Sequence, residues 1–382
     1  MHRITFFLLL LAPVWLAGQA VTGRTSQSIR LLFAGDVMGH GAQIKSAEVV
    51  ADKLYDYSPC FEYVKPLLDE ADLAIANLEL TLPGKPPYTG YPQFRSPDEL
   101  ALALREAGFD LLVTANNHSN DAGKSGVIET LNTLDEYNFF HTGTFRTAEE
   151  REFHYPLLVY RNDFRLAFLN YTYGTNGIPT AAPTIVNLID ESQIKKDLAA
   201  ARQYSPDVII VFMHWGLEYQ LIENAEQRAL SAKLFDWGAD LVIGAHPHVV
   251  QPIREVSLSR NGVATTGLVA YSLGNFISNQ NKPNTDGGIM LEVTLTRDSD
   301  TNTTSMTSYR ALPVWRYIEK LPGGKVTYRV LPVESIKNDQ ISPDRYLPAA
   351  DREAMTRYAD GVQNQLAKAG TAEKQEASPV RR

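Results

Sequence analysis

Short apolar runs alternate, over most of the chain, with longer segments whose apolar residues recur at helical spacing. Residues 29–34 (IRLLFA) and 73–78 (LAIANL) are continuous enough to be buried strands. Between them, Ser58-Pro59 opens a segment with Phe61, Val64, Leu67 and Leu68 at helical spacing. Ser96-Pro97-Asp98-Glu99 combines a capping serine, a first-turn proline and acids facing the positive end of a helix dipole; that helix stops at Gly108. A strand over 109–114 and a helix over 127–137 follow. Asn162-Asp163, between the segments 157–160 and 165–170, is a hairpin signal. Helices over 191–203 and 225–237 then alternate with strands over 208–213 and 241–243. Beyond them the pattern turns to strands over 269–273, 289–296, 308–314 and 326–331. Alternation followed by a strand-rich return predicts an α/β fold of two stacked sheets flanked by helices.

The two ends read differently from this body. Arg3 precedes the apolar stretch 4–17, interrupted by Pro13, and Gly18-Gln19-Ala20 places small residues where a signal peptidase reads. Residues 1–20 are therefore expected to be a signal peptide, with export to the periplasm, the cell surface or beyond; an uncleaved N-terminal anchor is the alternative. No cysteine follows the stretch, which excludes a lipid anchor at that site. The body spans 28–336, a C-terminal helical segment covers 344–368 with its helix near 352–368, and the polar stretch 369–382 is expected to be disordered.

Composition narrows the classes. The 382 residues are 44% hydrophobic and 21% charged, which is ordinary for a globular chain and excludes a polytopic membrane protein. A formal charge of −8 leaves no basic footprint, so a nucleic-acid partner is not expected. Cys60 is the only cysteine, so no internal disulfide can form.

Candidate chemistry gathers where strands end. The first strand runs into Gly35-Asp36-Val37-Met38-Gly39-His40, the second into Asn77-Leu78-Glu79, the third into Ala115-Asn116-Asn117-His118-Ser119-Asn120-Asp121. Later strands deliver His214-Trp215-Gly216-Leu217-Glu218-Tyr219, Gly244-Ala245-His246-Pro247-His248 and Ser272-Leu273-Gly274-Asn275-Phe276. In sheets with helical crossovers the carboxyl ends of strands share one edge, where ligands bind, so these clusters should converge. Carboxylates with imidazoles suit Zn, Mn or Fe, and a bridging acid allows two ions together. Singly, each cluster has a bland reading: a packed histidine, a turn asparagine, a solvated glutamate. Pro247 is expected to hold its segment extended and to restrict both flanking rings.

In this order the blocks resemble CapA/PgsA-type bacterial capsule (poly-γ-glutamate) synthesis proteins, a branch of the calcineurin-like metallophosphoesterases. The resemblance covers roughly residues 29–276 and implies a four-layer αββα sandwich with a di-metal centre at one edge. It implies that Asp36 and His248 bind the first metal, that Asn117, His214 and His246 bind the second, and that Glu79 touches both. His118 would act as general acid or as a donor to developing negative charge, with Asp121 orienting it. Met38 stands where the superfamily has a histidine ligand, which implies a weaker first site. His40 is the candidate to substitute for it if the loop folds back.

The implied function is an exported metal-dependent hydrolase-fold protein serving an anionic surface polymer, acting on a phosphoester or an amide. A non-catalytic scaffold for membrane-bound capsule-synthesis proteins and a general secreted phosphodiesterase are the alternatives. A polyanion would need local positive charge, for which Lys85, Arg95, Lys124, Arg146 and Arg254 are candidates. Tyr88, Tyr91, Phe94, Tyr171 and Tyr173 are candidates to line a cleft.

Overall fold

The computed structural model describes residues 27–49, 54–260, 262–338 and 347–376, with side chains in the last helix described to residue 368. The expected signal peptide and its cleavage site lie outside the described residues, as does 377–382.

One sheet is ordered Val326–Pro332, Thr304–Lys320, Gly287–Arg297, Gln27–Val37, Leu73–Leu78, Leu111–Val113 and Phe140–Thr142, with Asn275–Ile277 also pairing Gln27–Val37. The other is ordered Ile253–Arg260, Val263–Ala270, Leu241–Ala245, Val208–His214, Phe164–Thr172 and Leu157–Arg161. Strand alternation assigns each residue to a layer. Ile29, Leu31 and Phe33 join Leu166, Phe168, Ile210, Phe212 and Ile243 in one core between the sheets. Leu32 and Ala34, one residue out of step, pack instead against Leu100, Leu104 and Leu68 of the helical segments outside the first sheet. On the far side, Leu169, Val211 and Val242 meet Ile194, Leu198 and Leu234 from the helices Glu191–Gln203 and Ala225–Asp236. The layers therefore run helix, sheet, sheet, helix, as expected.

Gln27–Val37, Leu73–Leu78 and Leu111–Val113 are mutually parallel, as are Phe164–Thr172, Val208–His214, Leu241–Ala245 and Val263–Ala270. Their carboxyl ends deliver the polar clusters to one edge. The hairpin at Asn162-Asp163 forms with both residues at positive φ, 49° and 64°, as a primed two-residue turn requires.

Several local expectations change. The helix opening at Ser58 is split into Ser58–Phe61 and Lys65–Asp69, because Pro66 lacks the N–H that a continuous helix would use. Ser96 does not cap the next helix, which is Glu99–Ala107 with Asp98 at its N-cap; Ser96 N–H instead donates to Thr81 O. The strand Ile253–Arg260 escaped notice because its central positions alternate half-buried with exposed and few are apolar. The last helix is Ala349–Glu376, running past the expected end at Lys368. Its Met355, Tyr358, Ala359 and Val362 join the core between the sheets.

Candidate metal centre

Close backbone approach comes first. A Cβ added to Gly35 would lie 1.9 Å from Gly274 O, so only glycine lets these two segments meet; there Asp36 N–H donates to Gly274 O at 3.0 Å. The 246–248 segment is not extended as the proline suggested. His246 and His248 stand at φ 98° and 59°, a bend that turns both rings toward Asp36 and Glu79. Non-glycine residues held there cost on the order of 1–3 kcal/mol each, a strain typical of functional sites.

Asp36, Glu79, His214, His246 and His248 are all buried. They form two overlapping ligand groups, Asp36–Glu79–His214 and Glu79–His246–His248, with the atoms of each group within 4.8 Å of one another. Glu79 belongs to both, as a bridging acid would. His214 falls in the group with Asp36, and His248 also lies against Asp36, its Nδ1 3.1 Å from Oδ2. Asn117 joins through its Oδ1, 2.8 Å from His214 Nε2.

His248 Nδ1 faces two acceptors, Asp36 Oδ2 and Asn275 Oδ1, each at 3.1 Å. That nitrogen therefore carries the proton and leaves the Nε2 lone pair toward Glu79 Oε1, 3.9 Å away. Asp36 Oδ1 accepts from Asn77 Nδ2 at 2.8 Å, so Asp36 also orients its neighbours.

The electrostatics suit a cation. Burial alone would raise Asp36, but the hydrogen bond and charge of His248, aided by Asn77, hold it below the usual range. Burial, followed by the Asp36 carboxylate, pushes Glu79 well above its usual value. Burial, followed by the other imidazoles, pushes His214 well below its usual value; burial takes His246 to about 3. His214 and His246 are thus neutral, ready-made donors. Glu79 Oε1 and His246 Nδ1 are buried without a hydrogen-bond partner, and neither carboxylate pairs with a lysine or arginine among the described residues. Orphaned ligand atoms of this kind are costly unless a metal takes them. The residues fit divalent ions.

Met38 is 1% exposed and belongs to the apolar cluster outside the first sheet. His40 is in neither ligand group. Its Nδ1 lies 3.1 Å from Gln43 Oε1 and accepts from Asn279 N–H at 3.2 Å, at the start of the short helix Gly41–Ala47. Burial lowers it to about 4.

His118 stands beside the cluster, outside the ligand groups. Its Nδ1 is 2.7 Å from Asp121 Oδ2, which also accepts Phe94 N–H at 2.6 Å. Asn116 Oδ1 accepts His118 N–H at 3.0 Å, and the Phe94 ring meets the imidazole edge-on at 4.6 Å.

Residues 30–280 match the family described as bacterial capsule synthesis protein PGA_cap. The chain belongs to this family. Among PGA_cap relatives, it is 29% identical to capsule biosynthesis protein CapA of Bacillus anthracis, over 77% of this chain and 71% of that one. It is 28% identical to PGA biosynthesis protein CapA of Bacillus subtilis, over 72% and 70%. Solved structures with a similar arrangement include Haemophilus influenzae NAD nucleotidase (TM-score 0.48, 12% identity, 89% of this chain and 61% of that one). The calcineurin-like phosphoesterase YfkN of Bacillus subtilis is another (TM-score 0.44, 12% identity, 76% and 91%). Those overlaps are too loose to transfer any residue's role.

A cavity of about 740 Å³ opens beside His246, walled by Tyr173, Trp215 and Leu217, and it carries Glu191, Glu218 and Glu226 with no lysine or arginine. Arg254 is paired with Glu223, and Arg146 with Asp135 and Glu150. Of the aromatic candidates, Tyr173 lies parallel to His214 and 4.6 Å from His246, whereas Tyr171 is core, its hydroxyl donating to Asp197. Tyr88 packs on Tyr55, and Tyr91 is exposed.

Three asparagines at the site had been given no role. Asn77 donates to Asp36 and, at 3.4 Å, to Glu79. Its signal was legible, since it shares a strand face with Leu73 and Ile75, which point between the sheets. Asn275 fixes His248 as described. Asn176 comes from a loop with no flanking pattern.

Proposed function

We propose that this protein is a metal-dependent hydrolase of capsule-polymer synthesis that works outside the cytoplasm and cleaves a phosphoester or amide. The observation that carries the reading is the buried, partnerless pair Glu79 Oε1 and His246 Nδ1 among imidazoles that burial keeps neutral. Asp36, Glu79, Asn117, His214, His246 and His248 would hold two divalent ions, of the Mn, Zn or Fe type, which supply a water nucleophile at neutral pH and positive charge for a reacting oxygen.

The chain's own groups do the rest. Asp121, itself held by the Phe94 N–H, orients the imidazole of His118, so that its Nε2 would take up a proton at the reacting centre and pass it to the leaving atom. Asp36 and Asn275 keep the His248 proton on Nδ1 and its lone pair directed inward. The carboxylates lining the neighbouring cavity disfavour a polyanion there, so an anionic polymer would approach from another side. The capsule context follows the names of the relatives; export follows the N-terminal pattern.

The experiment is hydrolysis of bis(p-nitrophenyl) phosphate and of a γ-glutamyl amide by the metal-loaded protein, with and without chelator. Metal-dependent turnover of either is expected. Full metal loading with no turnover of either, together with normal capsule production by a His118→Ala strain, would leave a scaffold.

A further inference from the structure

The loop after Phe164–Thr172 sends one side chain into the space between Asn117 and His118. Asn176 stands at φ 50°, in the left-handed region that asparagine and glycine tolerate best. The loop is tied down twice. Thr175 Oγ1 donates to Ile178 O at 2.7 Å, and Asn120 Nδ2 donates to Thr180 Oγ1 at 2.7 Å and to Ile178 O at 3.3 Å.

The carboxamide that results has one self-consistent orientation. Its Oδ1 accepts from Asn117 Nδ2 at 3.3 Å and from Tyr173 OH at 3.4 Å. Its Nδ2 then faces His118 Nε2 at 3.5 Å. The His118 side agrees, because Nδ1 carries the proton toward the Asp121 carboxylate and leaves a lone pair on Nε2. The Asn117 side agrees as well. With its Nδ2 committed to Asn176, Asn117 must turn Oδ1 toward His214 Nε2, where it stands at 2.8 Å. These contacts are long for neutral hydrogen bonds, so each is weak alone; their value lies in fixing two flips and one tautomer together.

We propose that Asn176 is a positioning residue. Its carboxamide keeps the Asn117 oxygen toward the metal position and holds His118 Nε2 at the face where the leaving atom stands. The proposal rests on the metal-dependent hydrolase reading above, deepens it, and adds a loop to the site.

The test separates the amide from the backbone. Asn176→Gly keeps a residue at ease with positive φ and deletes the carboxamide, Asn176→Ala deletes it and strains the backbone, and Asn176→Asp keeps only the acceptor. Zn²⁺ is titrated calorimetrically into metal-stripped wild type and variants. Hydrolysis of bis(p-nitrophenyl) phosphate is then followed at saturating metal. Asn176→Gly is expected to weaken metal affinity or lower kcat by about 10–100-fold, as loss of an outer-shell partner does, with KM little changed. Asn176→Asp should recover metal affinity without recovering kcat. If Asn176→Gly matches wild type in both readouts and only Asn176→Ala is impaired, the residue serves loop geometry alone and the proposal falls. A wild type that binds metal but does not turn over defeats the hydrolase reading instead; the titration then decides Asn176 alone, and equal affinity for wild type and Asn176→Gly overturns it.

Discussion

Glu79 is the residue on which the site turns, because its carboxylate is common to both ligand groups and one of its oxygens has no partner. Its raised pKa has a consequence for the metal-free protein. A carboxyl whose pKa is higher folded than unfolded binds its proton more tightly when folded, so its contribution to stability declines as pH rises above about 4.5 toward the raised value. Glu79→Gln removes that penalty. In metal-stripped protein, the melting temperature of Glu79→Gln should exceed that of wild type by a margin that widens with pH from 4.5 upward; a margin independent of pH would contradict the assignment. Because His214 and His246 neighbour Glu79, the comparison is repeated in His214→Ala and His246→Ala backgrounds, where the same widening of the margin is expected. At the same scale, His118→Ala should retain metal and fold while costing about 10²–10⁴-fold in turnover, the usual worth of one general acid or base. Turnover and metal content are measured on the same preparation, and parallel loss of both would make His118 a structural residue.

Elements bring these residues together, and glycine decides how closely. Gly35→Ala would drive a methyl into Gly274 O, where a Cβ has only 1.9 Å, and would separate the strand bearing Asp36 from the segment bearing Asn275. We expect a loss of roughly 3 kcal/mol or more in urea unfolding, with metal binding weakened; a change under 1 kcal/mol would mean the segments can part freely. Much of this scale was legible in advance. The runs IRLLFA and LAIANL declared buried strands, Asn162-Asp163 declared its hairpin, and a polar cluster after each strand declared the common edge. What stayed hidden depended on contacts between distant segments. Nothing around Asn176 marks it, because the partners that link it to the site, His118 and Asn117, lie 58 and 59 residues away along the chain. Proline restrains the residue before it only statistically, and at His246-Pro247-His248 the chain bends with the His246 N–H donating to Asp36 Oδ2 at 3.4 Å. Pro66 did break its helix by the ordinary rule, but the apolar spacing around it masked the break.

Across the whole molecule, a two-sheet core holds the strand ends rigid while the loops beyond them carry the chemistry. The chain carries a formal charge of −8, and the cavity beside His246 carries Glu218 and Glu226 beside Glu191, which Lys233 pairs at 2.7 Å. No helix among the described residues is long and apolar enough to cross a membrane. The central claim is that these histidines and acids form a metal centre with Glu79 shared between two ions. Its most direct test is elemental analysis of the purified protein, wild type beside Glu79→Ala, after dialysis against metal-free buffer. The expected result is about two divalent ions per chain in wild type, the stoichiometry of a bridged pair, and near-complete loss in Glu79→Ala with His118→Ala unaffected. A wild-type protein that folds normally and carries no metal after supplementation with Zn, Mn and Fe, or a Glu79→Ala protein that keeps its full complement, would contradict it.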